Sequence, residues 1–240
     1  MKAAPEHQKK LLELQQFDTR LARLAHERRT LPALKLLAEQ HAEQDALFRR
    51  RALAEAELTK EQGELARIEE LADKIAARVA RHKERQQAGG SAKQAQAIEA
   101  ELATLAEQAE RVDEEQLIQM ERVEELQAQL AEVAREEELL AARRQAAEQE
   151  RDTEFARLDA QRTALTGERA DLAATIDANL LDLYEDVRAS TGGLGAVALH
   201  DTRTDGVSID FSLTELDAIR AAAPDEVVQS EDYGYILVRL

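Results

Sequence analysis

Cysteine and tryptophan are absent from this chain of 240 residues, proline occurs three times, and aromatic residues make up only 3%. Without cysteine there is no disulfide, no thiolate nucleophile and no cysteine-held metal, a composition compatible with a reducing compartment. Without bulky aromatics one thick core is hard to fill. The 44% of apolar residues are largely alanine and leucine, and alongside 34% charged residues they suit long helices with narrow apolar stripes. No apolar run approaches the roughly 20 residues that span a bilayer. The opening "MKAAPEHQKK" lacks the apolar stretch of a secretory signal, so the expectation is a cytoplasmic protein with no membrane segment. Catalytic groups are also scarce. His7, His26, His41, His82 and His200 are scattered, no two stand at i and i+4, and no glycine-rich phosphate loop is present. The chain reads as a non-enzyme without a cofactor.

What is present is charge in blocks. The formal net charge is -17, which argues against broad contact with phosphate backbones. Residues 1–97 carry 19 basic and 15 acidic side chains, residues 98–150 carry 5 and 16, and residues 151–240 carry 8 and 18. A basic stretch is followed by an acidic one.

Apolar residues spaced alternately three and four apart mark a coiled-coil seam. One seam runs Leu58, Glu61, Leu65, Ile68, Ala72, Ile75, Val79, His82. A second runs from Ile98 through Gln116, Gln119, Leu130 and Glu137 to Leu140, and resumes as Phe155, Leu158, Arg162, Leu165, Arg169, Leu172, Ile176. A shorter stripe, Leu14 to Leu31, stops at Pro32, which cannot continue a helix interior without losing a hydrogen bond. Between the long seams lies "QQAGGSAKQ". Gly89 and Gly90 permit positive φ, and Ser91 is placed to cap the next helix. Residues 89–91 are therefore expected at the tip of an antiparallel helical hairpin, in which position i faces roughly 180 minus i. The basic first arm would lie on the acidic second, with most of its lysines and arginines finding partners there. Polar seam positions such as Gln116, Gln119, Arg162 and Arg169 fit either register selection or contact with a third helix. The narrow seams fit a hairpin complete in itself or half of a homodimeric four-helix bundle.

After residue 190 the pattern changes. "STGGLGAVALHD", "GVSIDFS" and "YGYILVRL" read as short strands, and "SLTELDAIRAAAP" between them as a helix capped by Ser212 with Glu215 three residues on. The expected fold class is mostly α: residues 1–190 a coiled-coil hairpin, residues 191–240 a small α+β module of three or four strands and one helix. Asp201 and Asp205, with Glu231 and Asp232, offer oxygen ligands for a hard cation such as Mg²⁺, but they match only two positions of a calcium loop and fit a solvated turn.

The segments "LLELQQFDTRLARLAHERRTLP", "SAKQAQAIEAEL", "LYEDVRASTGGLGAV" and "IRAAAPDEVVQSEDYGYILVR" occur in that order. Taken together, nearly the whole chain resembles bacterial C4-type zinc-ribbon coiled-coil proteins. That resemblance implies a long hairpin with a C-terminal ribbon of two Cys-x-x-Cys knuckles, a label of nucleic-acid binding, and for some members sigma-factor, flagellar or secretion partners. In such an alignment Thr204, Val207, Ser230 and Tyr233 stand where the four cysteines are expected, while Gly206 and Gly234 match. These four side chains cannot reproduce a tetrahedral thiolate site, so no metal is expected. Val207 and Tyr233 are expected to fill the vacated pocket with Ile209, Phe211, Val227, Ile236 and Val238, and Thr204 and Ser230 to exchange hydroxyl hydrogen bonds.

The tip is where charge is least cancelled. Arg78, Arg81, Lys83, Arg85 and Lys93 surround it with Glu84 as the acidic neighbour, a pattern that fits a solvated end or a docking point for an acidic protein or RNA. No aromatic residue lies there to stack bases. The preferred expectation is a non-enzymatic adaptor or scaffold binding protein partners through the hairpin and a metal-free ribbon. The alternative is a nucleic-acid-binding protein using the basic tip or the ribbon.

Overall fold

The computed structural model describes residues 1–240. The helices are α1 (Pro5–Arg29), α2 (Pro32–Gln87), α3 (Ala92–Ala173), α4 (Ala178–Ser190) and α5 (Leu213–Ala221), and the strands are β1 (Ala196–His200), β2 (Arg203–Thr204), β3 (Val228–Gln229) and β4 (Ile236–Arg239). The chain divides into two compact units, one of Leu36–Ala147 and one combining Met1–Lys35 with Glu148–Leu240. No helix is long and apolar enough to cross a membrane.

Leu36–Ala147 is a hairpin of α2 and α3. Every seam position from Leu58 to His82 and from Ile98 to Leu140 is buried or half-buried, as the heptads require. Leu47, Val133 and Leu140 form one apolar cluster, and Ile75, Leu105 and Val112 form another. Between them stands a polar step. The Gln119 amide nitrogen Nε2 donates to the Glu61 carbonyl at 2.9 Å and to its carboxylate at 2.6 Å, and Lys60 Nζ donates to the same carboxylate at 3.0 Å. The Gln119 amide, then Lys60, hold this carboxyl below the usual carboxylate range. A register slip would strand a seam carboxylate, so the step fixes pairing.

The charge pattern between the arms differs from the expected basic-on-acidic scheme. Arg50 and Arg51 on α2 reach Glu136 and Glu137, but Arg122 and Arg143 on α3 reach back to Glu57 and Glu43. Pairing runs in both directions and leaves many first-arm cations exposed. Ion pairs this exposed contribute about 0–1 kcal/mol each, so closure rests on the seam. At the turn only Gly89 takes positive φ (+80°), where a side chain would strain the backbone. Ser91 Oγ accepts from Gln94 N at 3.4 Å, and Gln94 Oε1 accepts from Ser91 N at 2.9 Å, a reciprocal cap that starts α3.

The other unit is built on a sheet of order β2-β1-β4-β3. Its central pair, β1 and β4, is parallel, with Ala196 opposite Ile236 and Ala198 opposite Val238. Central parallel strands covered on both faces read as unbroken apolar runs. "AVAL" and "ILV" are such runs, and all seven residues are buried. On one face Ala196, Ile236 and Val238 pack on Leu11 and Leu14 of α1 and Leu180, Tyr184 and Val187 of α4. On the other, Val197, Leu199 and Leu237 pack on Ile219 of α5 and on Ile209. The segment "GVSIDF" is not a strand. Its alternate apolar residues, Val207, Ile209 and Phe211, pack against that second face without joining the ladder.

The chain's first residues are tied into this unit. Ala3 N donates to the Asp225 carbonyl at 2.7 Å, Val227 N donates to the Met1 carbonyl at 3.0 Å, and Gln8 Nε2 donates to the Ala3 and Pro224 carbonyls. The sheet therefore shares its core with α1 and α4, and the packing units do not follow the expected boundary at residues 190 and 191.

Candidate functional site

The four knuckle positions do not converge. Thr204 Oγ1 donates to the Val207 carbonyl at 2.5 Å, closing its own turn. Ser230 Oγ accepts from Tyr235 N at 3.1 Å and closes the other. The expected exchange between the two hydroxyls is absent because each is committed locally. Gly206 (φ +83°) and Gly234 (φ +72°) supply the left-handed backbone both turns need. Tyr233 does not fill a pocket: it is 54% exposed and stacks on Tyr235 with ring centroids 5.6 Å apart. Val207 packs with Ile209 and Phe211, on the sheet face opposite Val227, Ile236 and Val238. Asp205 lies 3.2 Å from His200, and no three histidine or carboxylate side chains in the chain are arranged to hold a metal ion.

Of the three arginines after residue 190, Arg239 alone is firmly committed. Arg239 donates to the carbonyls of Ile219, Ala222, Ala223 and Glu226, pinning the C-terminal end of α5 to β4. Arg220 lies 3.9 Å from Asp217, and Arg203 is exposed.

The densest cluster of perturbed ionisable groups lies where α1, α3 and α4 meet. Asp18 accepts from Arg169 Nε at 2.7 Å and Nη2 at 2.9 Å, and from the Tyr184 hydroxyl at 2.7 Å. Gln15 Oε1 accepts from Gly195 N at 2.6 Å and from the Tyr184 hydroxyl at 3.2 Å, while its amide donates to the Gly193 carbonyl. Burial, then the Asp18 bond, raises the Tyr184 phenol, and the Asp18 bond raises the Arg169 guanidinium. For Glu185 burial acts upward, yet the Arg169 and Arg188 bonds win and the carboxyl is lowered. Each partner of these polar atoms is a neighbour within the fold. The cluster joins α1, α3, α4 and the entry to β1, and a Cβ at Gly195 would sit 2.5 Å from the Tyr184 ring. Of this set the seam pattern marks only Arg169. Gln15 and Asp18, polar residues beside the Leu14 stripe, are the signal the sequence carries for the rest.

The hairpin tip shows the opposite condition. Arg78, Arg81, Lys83, Arg85 and Lys93 are all exposed. Ion pairs in this stretch join Lys74 to Glu70 and His82 to Glu101, and none of the five takes part. Glu84, the acidic neighbour, pairs with none of them either. Arg81 makes only a bond from Nε to its own helix, at the Ala77 carbonyl. Positions 78, 81 and 85 are spaced i, i+3, i+7 and share one side of α2, whereas Lys83 and Lys93 lie off that line. Arg111 of α3, absent from the expected set, adds a cation to the same side across the groove between the helices. His82, largely buried, sets Nε2 2.9 Å from Glu101 and leaves Nδ1 unpartnered.

The fold and the tip define a coiled-coil hairpin protein with a small C-terminal sheet and no metal knuckle. Residues 14–192 match the CT398-like coiled coil hairpin domain, and the chain belongs to that family. This corrects the resemblance to C4-type zinc-ribbon proteins: the matching family is the hairpin domain, and no cysteine is available for a ribbon. The chain is 35% identical over 241 residues to the uncharacterized protein Rv2229c of Mycobacterium tuberculosis, covering 100% of this chain and 98% of that one. A solved structure from Mycobacterium smegmatis, 34% identical, superposes with a TM-score of 0.88 over 100% of both chains. CT398 of Chlamydia trachomatis shares the fold at 17% identity, with a TM-score of 0.73 over 98% of both chains. HP0958 of Helicobacter pylori shares it at 14%, with a TM-score of 0.54 over 99% of this chain and 98% of that one.

Proposed function

We propose that this protein is a non-enzymatic coiled-coil adaptor that receives protein partners at the hairpin tip. The observation that carries the reading is the set of five exposed tip cations without an ion-pair partner. Fold stability gives no reason to gather them, since Arg78, Arg81 and Arg85 place like charges on one side of α2, where they repel. The perturbed acids and bases near Tyr184 bond to one another and support the fold, which supports a non-enzymatic role.

Nucleic acid is the competing occupant of a basic tip. Against it stand the net charge of -17, the lack of an aromatic at the tip and the commitment of Arg239 to α5. The test is in-extract crosslinking of the full chain, with and without nuclease, against Arg78→Glu/Arg81→Glu/Arg85→Glu. Loss of protein crosslinks in the variant alone is expected. Loss on nuclease treatment would move the reading to nucleic acid.

A further inference from the structure

We infer that the partner presents an acidic amphipathic helix, which lies as a third helix in the groove between α2 and α3 below the tip. This rests on the adaptor reading and specifies its ligand. The groove, of about 660 Å³, has a floor of Leu71, Ile75 and Val112. Leu71 is 46% exposed and stands one position before the seam residue Ala72, which leaves its side chain open to the groove. The rim carries Lys74, Arg78 and Arg81 from α2 and Arg111 from α3, against one lining carboxylate, Glu115. Lys74 is held by Glu70, and Arg111 bonds only to the Glu107 carbonyl of its own helix, so three arginines line the groove without an ion-pair partner.

This pairing of features selects the occupant. A floor of aliphatic side chains takes leucine-like residues at i, i+3, i+4 and i+7 of a helix. A rim of arginines takes carboxylates flanking that stripe, and guanidinium groups bind carboxylates in bidentate geometry. Single-stranded nucleic acid would match the rim, but the floor offers its bases no aromatic face. Neither feature alone would choose between helix and nucleic acid, and together they favour the helix.

The test uses the full-length protein and a synthetic amphipathic helix of about three heptads, with leucine at the seam positions and glutamate on the flanks. Controls are a peptide of the same composition in scrambled order and an oligouridine strand. Expected is saturable binding of the amphipathic peptide, photocrosslinked to residues around 71–81 and 108–115. The affinity is expected to fall roughly tenfold or more in Arg78→Glu/Arg81→Glu/Arg111→Glu, with a smaller loss in Leu71→Ser. Melting of each variant by circular dichroism is expected to match the parent. Equal binding of the scrambled peptide, or equal competition by oligouridine, overturns the inference by showing attraction of charge alone. No binding of the amphipathic peptide also overturns it. If the tip variant still loses its crosslinked protein partners, the adaptor reading survives that failure; if those crosslinks persist, both fall.

Discussion

Arg169 and Arg81 are both arginines on long helices, and the fold treats them oppositely. Arg169 is held by Asp18 and Glu185 at the meeting of three helices, where its removal would leave a buried carboxylate without its main partner. Arg81 is exposed and touches only its own backbone. The cluster around Arg169 commits its charges to holding α1, α3 and α4 together, whereas the five tip cations have no ion-pair partner. Charge in a long coiled coil is therefore informative where it lacks an internal partner, because exposed pairs contribute little in any case.

The largest expected effect comes from breaking the committed side. Asp18→Ala is expected to cost about 3–5 kcal/mol in urea unfolding, because it removes the buried carboxylate of the ion pair and leaves Arg169 with Glu185 alone and the Tyr184 hydroxyl with Gln15 alone. A loss below about 1 kcal/mol would mean that the cluster is not structural. Arg239→Ala removes the donor to four carbonyls at the end of α5 and is expected to cost about 2–3 kcal/mol. Hydrogen exchange should show the loosening at residues 213–223 first.

The pH response sharpens the comparison. The Tyr184 phenol titrates higher in the fold than in the unfolded chain, so its contribution is intact below the ordinary tyrosine value of 10.0 and is lost as pH rises beyond it. Melting temperature is expected to decline above that pH, with a shallower decline in Tyr184→Phe. Glu61 is shifted the other way, and its contribution is present above the ordinary value of 4.5 and lost as pH falls through the lowered folded value. Gln119→Leu, which removes the amide from Glu61, is expected to lower stability slightly at neutral pH and to reduce that acid sensitivity.

The hairpin was legible because a seam repeats: a period of three and four residues survives any local substitution, and Leu58 to His82 and Ile98 to Leu140 are buried as that period requires. Caps were legible for the same local reason, although Glu215 accepts from Glu231 N rather than returning to Ser212. What escaped the sequence depends on remote pairs. Backbone bonds joining Met1 and Ala3 to Asp225 and Val227 leave no local pattern, and neither does Asp18 meeting Arg169 and Tyr184. "GVSIDF" alternates because it covers the sheet, and alternation alone does not separate that from pairing within it. Gly206 and Gly234 match the knuckle pattern and take positive φ, but turn glycines specify backbone and not ligands. Of the tip, the five cations could be read directly, whereas the contribution of Arg111 and the apolar groove floor required the two helices to be brought together.

The central claim is that the tip cations serve a partner and not the fold. The most direct measurement is thermal unfolding of full-length Arg78→Glu/Arg81→Glu/Arg85→Glu beside its protein crosslinks in nuclease-treated extract. The account predicts stability within about 0.5 kcal/mol per site of the parent, as for surface substitutions, together with loss of the crosslinked partners. A fall in stability comparable to that of Asp18→Ala, or crosslinks that persist unchanged, would contradict it.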